Sequence, residues 1–434
     1  MKTVRTATLA ATIIASLFFA SVPRALADTN VSLVHSFTGG NDGACPDSNL
    51  IADAAGNFYG TTQIGGAFGA GTIFKLNPTP DGKWHLSVLY TFTGGADGGN
   101  PLGTPVFDTA GNAYATVSSG GANGFGAVIE ITPPAHSGQP WSEKVLYSFL
   151  AGTDGALPFG NVVFDAAGNL YGTTSIGGHG HVGCLAGCGT IYELSPTGNG
   201  GWTEKVLHRL LDAFGQGAEP RAGLVMDASG NLYGTTYEGG NNDFCGGLGC
   251  GSVFELAAPA PGKKRRQFKN LFNFDATNGA LVRGGVTFNA AGALFGTTIY
   301  GGSNNAGTVF SLTYETGHWR FRTIYNFNLL DGLQPSGNLA FDNAGNLYGA
   351  TYEGGANDWG SIFQLVPGAT GWTENLFYSF VISGKKFGAG PLGGVALGAD
   401  GNLYVTTNQG GNINDCQPNA GCGTVLKLTT ATTN

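Results

Sequence analysis

The heptapeptide Gly168-Asn169-Leu170-Tyr171-Gly172-Thr173-Thr174 is written seven times along the chain, its other copies centred on Tyr59, Tyr114, Tyr233, Phe295, Tyr348 and Tyr404, 53 to 62 residues apart. A repeat of this period constrains the fold more than length does, because one such unit cannot bury its apolar face alone and must stack on a neighbouring copy. The 434 residues would by themselves allow two or three domains. Seven units spanning them argue instead for one closed or stacked array. Glycine (76) and proline (18) are abundant, but the glycines recur at fixed places between apolar, aromatic and β-branched runs. That pattern reads as short strands joined by tight turns.

Each unit carries four strand-like pieces, here called A to D. Ala222 to Asp227 exemplifies A, the heptapeptide is B, Gly189 to Leu194 exemplifies C, and Trp202 to His208 exemplifies D. No stretch of the mature chain shows a helical period, so the fold is expected to be all-β. The A–B joint reads Asp-x-x-Gly-Asn, as in Asp165 to Asn169, with Asn289 and Gly398 replacing the acid in units five and seven. Asp can cap such a turn with its own side chain and Gly supplies the positive φ. The D–A joint reads Asp-Gly-x-x-Pro at Asp42, Asp97, Asp154 and Asp331; the other units begin it with Gln216, Asn278 and Phe387. Gly persists in all seven and the acid in four, which favours turn geometry over a repeated calcium site. No cofactor and no bound metal are expected. Strand B keeps a small residue at its centre, Gly in five copies, Ala115 in one and Val405 as the exception. Glycine there implies close approach of another group, and the adjacent aromatic is expected to pack between sheets.

The register of the ends selects the topology. Val31 to Phe37 matches strand D, and Gly423 to Leu428 matches strand C, so the last unit lacks one strand that the first residues can supply. A ring closed in this way leaves no open terminus to cap. The expectation is a seven-bladed β-propeller of four-stranded blades in a single domain, residues 28–434. Residues 1–27 read as a secretory signal peptide: Lys2 and Arg5 start it, Ala7 to Val22 is apolar, and Ala25-Leu26-Ala27 is the cleavage site. Cleavage leaves 17 basic against 28 acidic residues. That balance disfavours nucleic acid and anionic lipid as partners. No later stretch is long and apolar enough to span a membrane.

The combination of Tyr147-Ser148-Phe149, Asp-Gly-x-x-Pro, Gly-Asn-Leu-Tyr-Gly-Thr-Thr and Gly307 to Phe310 resembles the GloVer tandem-repeat proteins over residues 31–428, and the A and B strands resemble NHL-type propeller blades. The resemblance implies secreted bacterial proteins with varied C-terminal surface anchors, and it implies no particular activity. Only Thr429 to Asn434 follow Leu428, so the expectation is a secreted or periplasmic monomer without such an anchor.

In a propeller the B–C and D–A connections share one face, and function is sought where the units differ. The B–C loops of units three, four and seven are long and carry Cys184 and Cys188, Cys245 and Cys250, and Cys416 and Cys422. In an exported chain these read as local disulfides, with His179 and His181 raising the rival reading of a metal site. Cys45 is left over. Trp359 is the one tryptophan outside the series that opens strand D. Tyr352-Glu353 with Asp358, and Tyr237-Glu238 with Asp243, complete the candidate ligand-binding set. An aromatic beside amides and carboxylates suits a sugar or peptide. The leading reading is a non-catalytic propeller that binds an extracellular glycan or envelope protein. The alternatives are a polysaccharide lyase or hydrolase using Glu238 or Glu353, and a purely structural surface or matrix protein. No nucleophile elbow, phosphate loop or zinc-protease motif is present.

Overall fold

A computed structural model of the chain describes residues 29–136, 138–178, 180, 184–211, 215–241, 243, 245–381, 387–411, 416 and 421–430. Residues 1–28, with the expected signal peptide, lie outside them, as do His179, His181 and the loop residues Asn242, Asn414 and Asp415. Among the described residues, seven four-stranded antiparallel sheets follow one another in the order A-B-C-D, with a single 3-10 turn at Cys245–Gly247. Blade one comprises Ile51–Ala52, Phe58–Thr62, Thr72–Pro78 and Trp84–Thr91. Blade seven takes Val395–Leu397, Leu403–Thr407 and Thr424–Thr430 from the end of the chain and Thr29–Ser36 from its beginning. Val31 lies opposite Leu428 and Leu33 opposite Leu426 in antiparallel register. The ring is a seven-bladed β-propeller, closed as the offset ends require.

The heptapeptide explains each blade from within. Asp165 accepts hydrogen bonds from the amides of Ala167 and Asn169, from Asn169 Nδ2 at 2.8 Å and from the Tyr171 hydroxyl at 3.0 Å. The Tyr hydroxyl therefore ties strand B to the A–B turn in addition to packing. Its two exceptions are matched: Phe295 sits where Asn289 has replaced the acid, and Tyr404 turns to Asp400 because Gly398 offers nothing. The small residue of strand B faces a large one on strand C. Gly60 lies opposite Phe74 and Gly234 opposite Phe254. A Cβ on either glycine would meet the ring at 2.7 and 2.5 Å. Where strand B carries Ala115 the partner shrinks to Ile129, and where it carries Val405 the partner is Leu426. A larger strand B residue is thus met by a smaller strand C partner, as a close-packed interior demands.

Blades are joined by the same motif. The strand B aromatic packs against the strand D tryptophan of the next blade, Tyr404 on Trp84 at 5.6 Å and Tyr233 on Trp319 at 5.7 Å. Each such pair contributes about 1 kcal/mol beyond its buried area. Blade four has no strand D tryptophan, and there the Arg266 guanidinium lies 5.0 Å from the Tyr171 ring centroid. The first Thr of the motif donates to the next blade's strand A segment: Thr116 to Gly160 O, Thr173 to Ala222 O, Thr235 to Gly284 O and Thr406 to Ser48 O. The second Thr pairs with a strand C hydroxyl, as Thr174 with Thr190 at 2.8 Å. Blade six departs from the series. Its strand B carries Ala350, its strand A is lengthened to Leu333–Phe341, and Ser336 donates to Pro391 O in place of the missing threonine.

Candidate functional site: the axial cavity and its rim

Each D–A segment enters the ring through a latch. The residue before the proline, or its equivalent, lies in the left-handed region and donates its amide to the carbonyl that precedes the neighbouring strand C. Cys45 (φ 55°) donates to Cys422 O, Glu219 (φ 53°) to Cys188 O, Leu281 (φ 59°) to Cys250 O and Gly390 (φ 60°) to Trp359 O. Six of the seven are not glycine, so this backbone strain is held by the ring itself. Trp359 thus occupies the repeat position that the second cysteine of each long loop fills in blades three, four and seven.

The disulfides form as the loops imply: Cys184–Cys188, Cys245–Cys250 and Cys416–Cys422, with Cα separations of 5.3, 5.4 and 5.2 Å. Cys188, Cys250 and Cys422 are fully buried, so each bridge anchors a long loop to the latch beneath it. Cys45 carries a free thiol beside the third bridge, and burial together with Asp47 pushes its pKa up to about 11. It is a poor nucleophile.

The latch delivers the residue after the proline to the ring axis. There the seven strand A segments begin around a cavity of about 340 Å³, within the range of small-ligand sites. Six post-proline side chains line it: Asp47, Leu102, Phe159, Arg221, Arg283 and Leu392. Asn49, Thr104, Asn161 and Asn338 add amides and a hydroxyl, and glycines from several blades expose backbone. In ring order blade one contributes an acid, blades two and three an apolar wall, and blades four and five two guanidinium groups.

Arg221 stacks on the Tyr237 ring, 3.7 Å from its centroid, and pairs with Glu219 Oε2 at 2.8 Å. Its Nε is buried with no hydrogen-bond partner among the described residues, and so is Asn49 Oδ1. Arg283 is exposed and makes no ion pair within the described set. Asp47 accepts from Asn408 Nδ2. Burial pushes its pKa up to about 6, against the opposing pull of Asn408 and Arg283.

The candidate residues read from sequence divide into two groups. Tyr237 and Tyr352 stand behind the lining of this cavity and interact with residues that form it. Tyr237 carries Arg221, and the Tyr352 phenol, raised by burial and then by Glu353, also feels the charges of Asp47 and Arg283. Gly390 leaves room for the Tyr352 ring, whose Cε2 would lie 2.8 Å from a Cβ there. Glu353 accepts from Gln334 Nε2 at 3.1 Å, and Glu238 is bridged through its backbone to Ala218. Asp243, Asp358 and Trp359 stand further out in exposed B–C loops. Asp47, Arg221 and Arg283 are not among the residues that the sequence pattern singles out. The chain does carry a signal for them: within the repeating D–A joint, the position after the proline or its equivalent holds charges of both signs in three units and apolar residues in three others.

Three further carboxylates sit between blades. Glu143, Glu204 and Glu374 each keep a buried Oε1 without a partner among the described residues. They lie near Asp97, Asp154 and Asp331, which accept from Tyr90, Tyr147 and Tyr325. Burial, followed by the neighbouring aspartate, pushes Glu204 and Glu374 up to about 7.

Comparison with solved structures finds the same architecture at low identity. A candidate 6-phosphogluconolactonase from Bacteroides uniformis superposes with a TM-score of 0.51 at 14% identity, over 86% of this chain and 98% of that one. A hypothetical selenium-binding protein from Sulfolobus tokodaii gives 0.50 at 12%, over 83% and 86%. The soluble aldose sugar dehydrogenase of Escherichia coli gives 0.43 at 14%, over 93% and 100%. For the first two, at these identities, the likeness is one of fold. No curated protein matches the chain. The sequence itself is matched by one repeat model over residues 22–186, 181–339 and 244–434, nearly its whole length, and the chain therefore belongs to the Gloeobacter/Verrucomicrobia repeat family.

Proposed function

We propose that this protein is an exported binding module that engages an extracellular glycan or envelope protein through its B–C/D–A face. One observation carries the reading. Of the eleven exposed large apolar side chains among the described residues, ten stand on B–C or D–A connections, among them Phe68, Phe125, Leu150, Leu185, Leu330 and Trp359; Tyr314 is the other. Exposed apolar groups concentrated on one face are a mark of an interaction surface. The three disulfides stiffen that face and fit an oxidising compartment.

The test is quantitative binding of the purified protein to a panel of purified envelope polysaccharides and surface proteins. Trp359→Ala with Leu330→Ser should weaken the retained ligand by at least tenfold, and Tyr314→Ser should leave it unchanged. Equal binding by both variants would place the interaction elsewhere. A mature N-terminus at Asp28, read by mass spectrometry, tests export.

A second reading, turnover of a sugar polymer on the same face, is favoured by Asp47. An acid held at about 6 in a cavity, near the Tyr352 phenol and the Arg283 guanidinium, has the titration of a proton-transfer group. It predicts product from a polymer panel that is lost in Asp47→Asn while binding persists.

A further inference from the structure

We propose that the axial cavity binds a sugar acid, free or at the end of a polymer, whose carboxylate is held by Arg283 and Arg221 and whose ring lies on Leu102 and Phe159. This inference rests on the reading of the B–C/D–A face as the binding face and adds the chemistry of its centre.

Four features converge on that ligand. Arg283 forms no ion pair among the described residues, Asp47 acting on it without contact, and a guanidinium fork matches a carboxylate. Arg221 is already fixed by Tyr237 and Glu219, yet its buried Nε lacks an acceptor. Asn49 Oδ1, equally buried, lacks a donor. A ligand that satisfies both must present an anionic or carbonyl oxygen on one side and a hydroxyl on the other, which a hydroxylated acid does and sulfate does not. The apolar wall of Leu102 and Phe159 adjoins the two guanidinium groups of blades four and five around a space of about 340 Å³, room for one sugar ring with its substituents.

Asp47 sets the pH dependence. It faces Arg283, the Tyr352 phenol and the Cys45 thiol, with Asn408 as its hydrogen-bond partner. Ionised, it opposes a second anion; protonated, it does not. A sugar acid keeps its charge well below pH 6, so affinity should rise as pH falls through about 6.

The experiment is calorimetric titration with glucuronate, galacturonate, glucose and sulfate, and with an oligomer ending in a uronic acid. The expected result is saturable binding of at least one uronate, at least tenfold weaker binding of glucose and of sulfate, and a several-fold gain between pH 7.5 and 5.5. Arg283→Gln should lose at least tenfold with an unchanged melting temperature, since that side chain is exposed. Asp47→Asn should bind at pH 7.5 as the parent does at pH 5.5. A free uronate that binds as well as the oligomer identifies a monomeric ligand; oligomer binding at least tenfold tighter identifies a polymer end. Glucose or sulfate binding as tightly as the uronates, or Arg283→Gln binding as the parent does, overturns the proposal. Trp359→Ala with Leu330→Ser separates the two readings. If polymer or protein binding falls in that variant while no uronate binds at all, the face reading stands and the axial one fails.

Discussion

The two faces of the ring are built from the same repeat under opposite rules. On the face of the A–B and C–D connections, the A–B turn is made of the residues that recur: Asp or its substitute, Gly, and Asn, with four hydrogen bonds onto Asp165 serving as the pattern. On the face of the B–C and D–A connections the backbone recurs, in the latch and its left-handed residue, and the D–A aspartate recurs in four blades, but the side chains at two positions do not. Cys, Trp, Ala and Phe share one position there, and Asp, Leu, Phe and Arg share another. The first face uses its side chains to shape the chain. The second holds its latch with backbone hydrogen bonds and so leaves the side chains at those two positions for contact with something else. Clefts on the turn face do not change this. The one of about 650 Å³ between blades four and five is walled by Tyr233 and Trp319, which already pack the blades together.

The framework that carries both faces should be the most sensitive part. Gly234→Leu would drive a side chain into the Phe254 ring, and we expect a loss of about 3 kcal/mol or more, or failure to fold. Gly234→Ala together with Phe254→Ile, which copies the pairing of Ala115 with Ile129, should recover most of it in denaturant titrations. No recovery would mean that the size exchange across strands B and C is not what holds the blade.

On the turn face alone, Asp165→Ala removes the acceptor of four hydrogen bonds and leaves the Tyr171 hydroxyl without it. The expected cost is about 2 to 3 kcal/mol in stability, with ligand affinity unchanged. A change in affinity would erase the division between the faces. On the loop face, Cys245→Ser with Cys250→Ser opens a bridge between residues five apart. About 2 kcal/mol should be lost by the loop-closure argument, accompanied by weaker binding. Loss of stability without loss of binding would show that stiffening of this loop is irrelevant to recognition.

The smallest effect lies between the blades. Glu204 and Glu374 hold their protons up to about 7 in the fold, against an ordinary value of 4.5. Between those values the folded chain binds more protons than the unfolded one, so stability falls as pH rises from about 5 to 7. Each should contribute on the order of 1 kcal/mol after solvent screening. Melting temperature should therefore be higher at pH 5.5 than at pH 8, and Glu204→Gln with Glu374→Gln should flatten the difference. The aspartates of the A–B turns act in the opposite sense. Hydrogen bonds from Asn and Tyr outweigh their partial burial and hold them below the ordinary carboxylate range, so their contribution is lost only at strongly acid pH.

Much of the fold is legible in the order of residues alone. The seven heptapeptides, the Asp-x-x-Gly-Asn turns, the offset of Val31 to Phe37 against Gly423 to Leu428, and the three cysteine pairs are local patterns. Each reports a backbone conformation or a short loop within one unit, and the ring follows from repeating it. Less legible are the compensations, such as Val405 with Leu426 or Asp400 serving Tyr404, because they join residues whose strand register must be known first.

What the sequence determined by itself is therefore the repeating framework: the number of blades, their strand order and the way the ends close the ring. Turn chemistry and hydrophobic alternation act over a few residues and are written there directly. Only the tertiary structure decided where chemistry gathers. Asp47, Arg221 and Arg283 begin three different blades; they share one position of the repeat, but nothing in the chain says that this position points to a common axis. They meet because closure of the ring aims the start of every strand A at one axis, where single residues distant in sequence become the walls of one cavity.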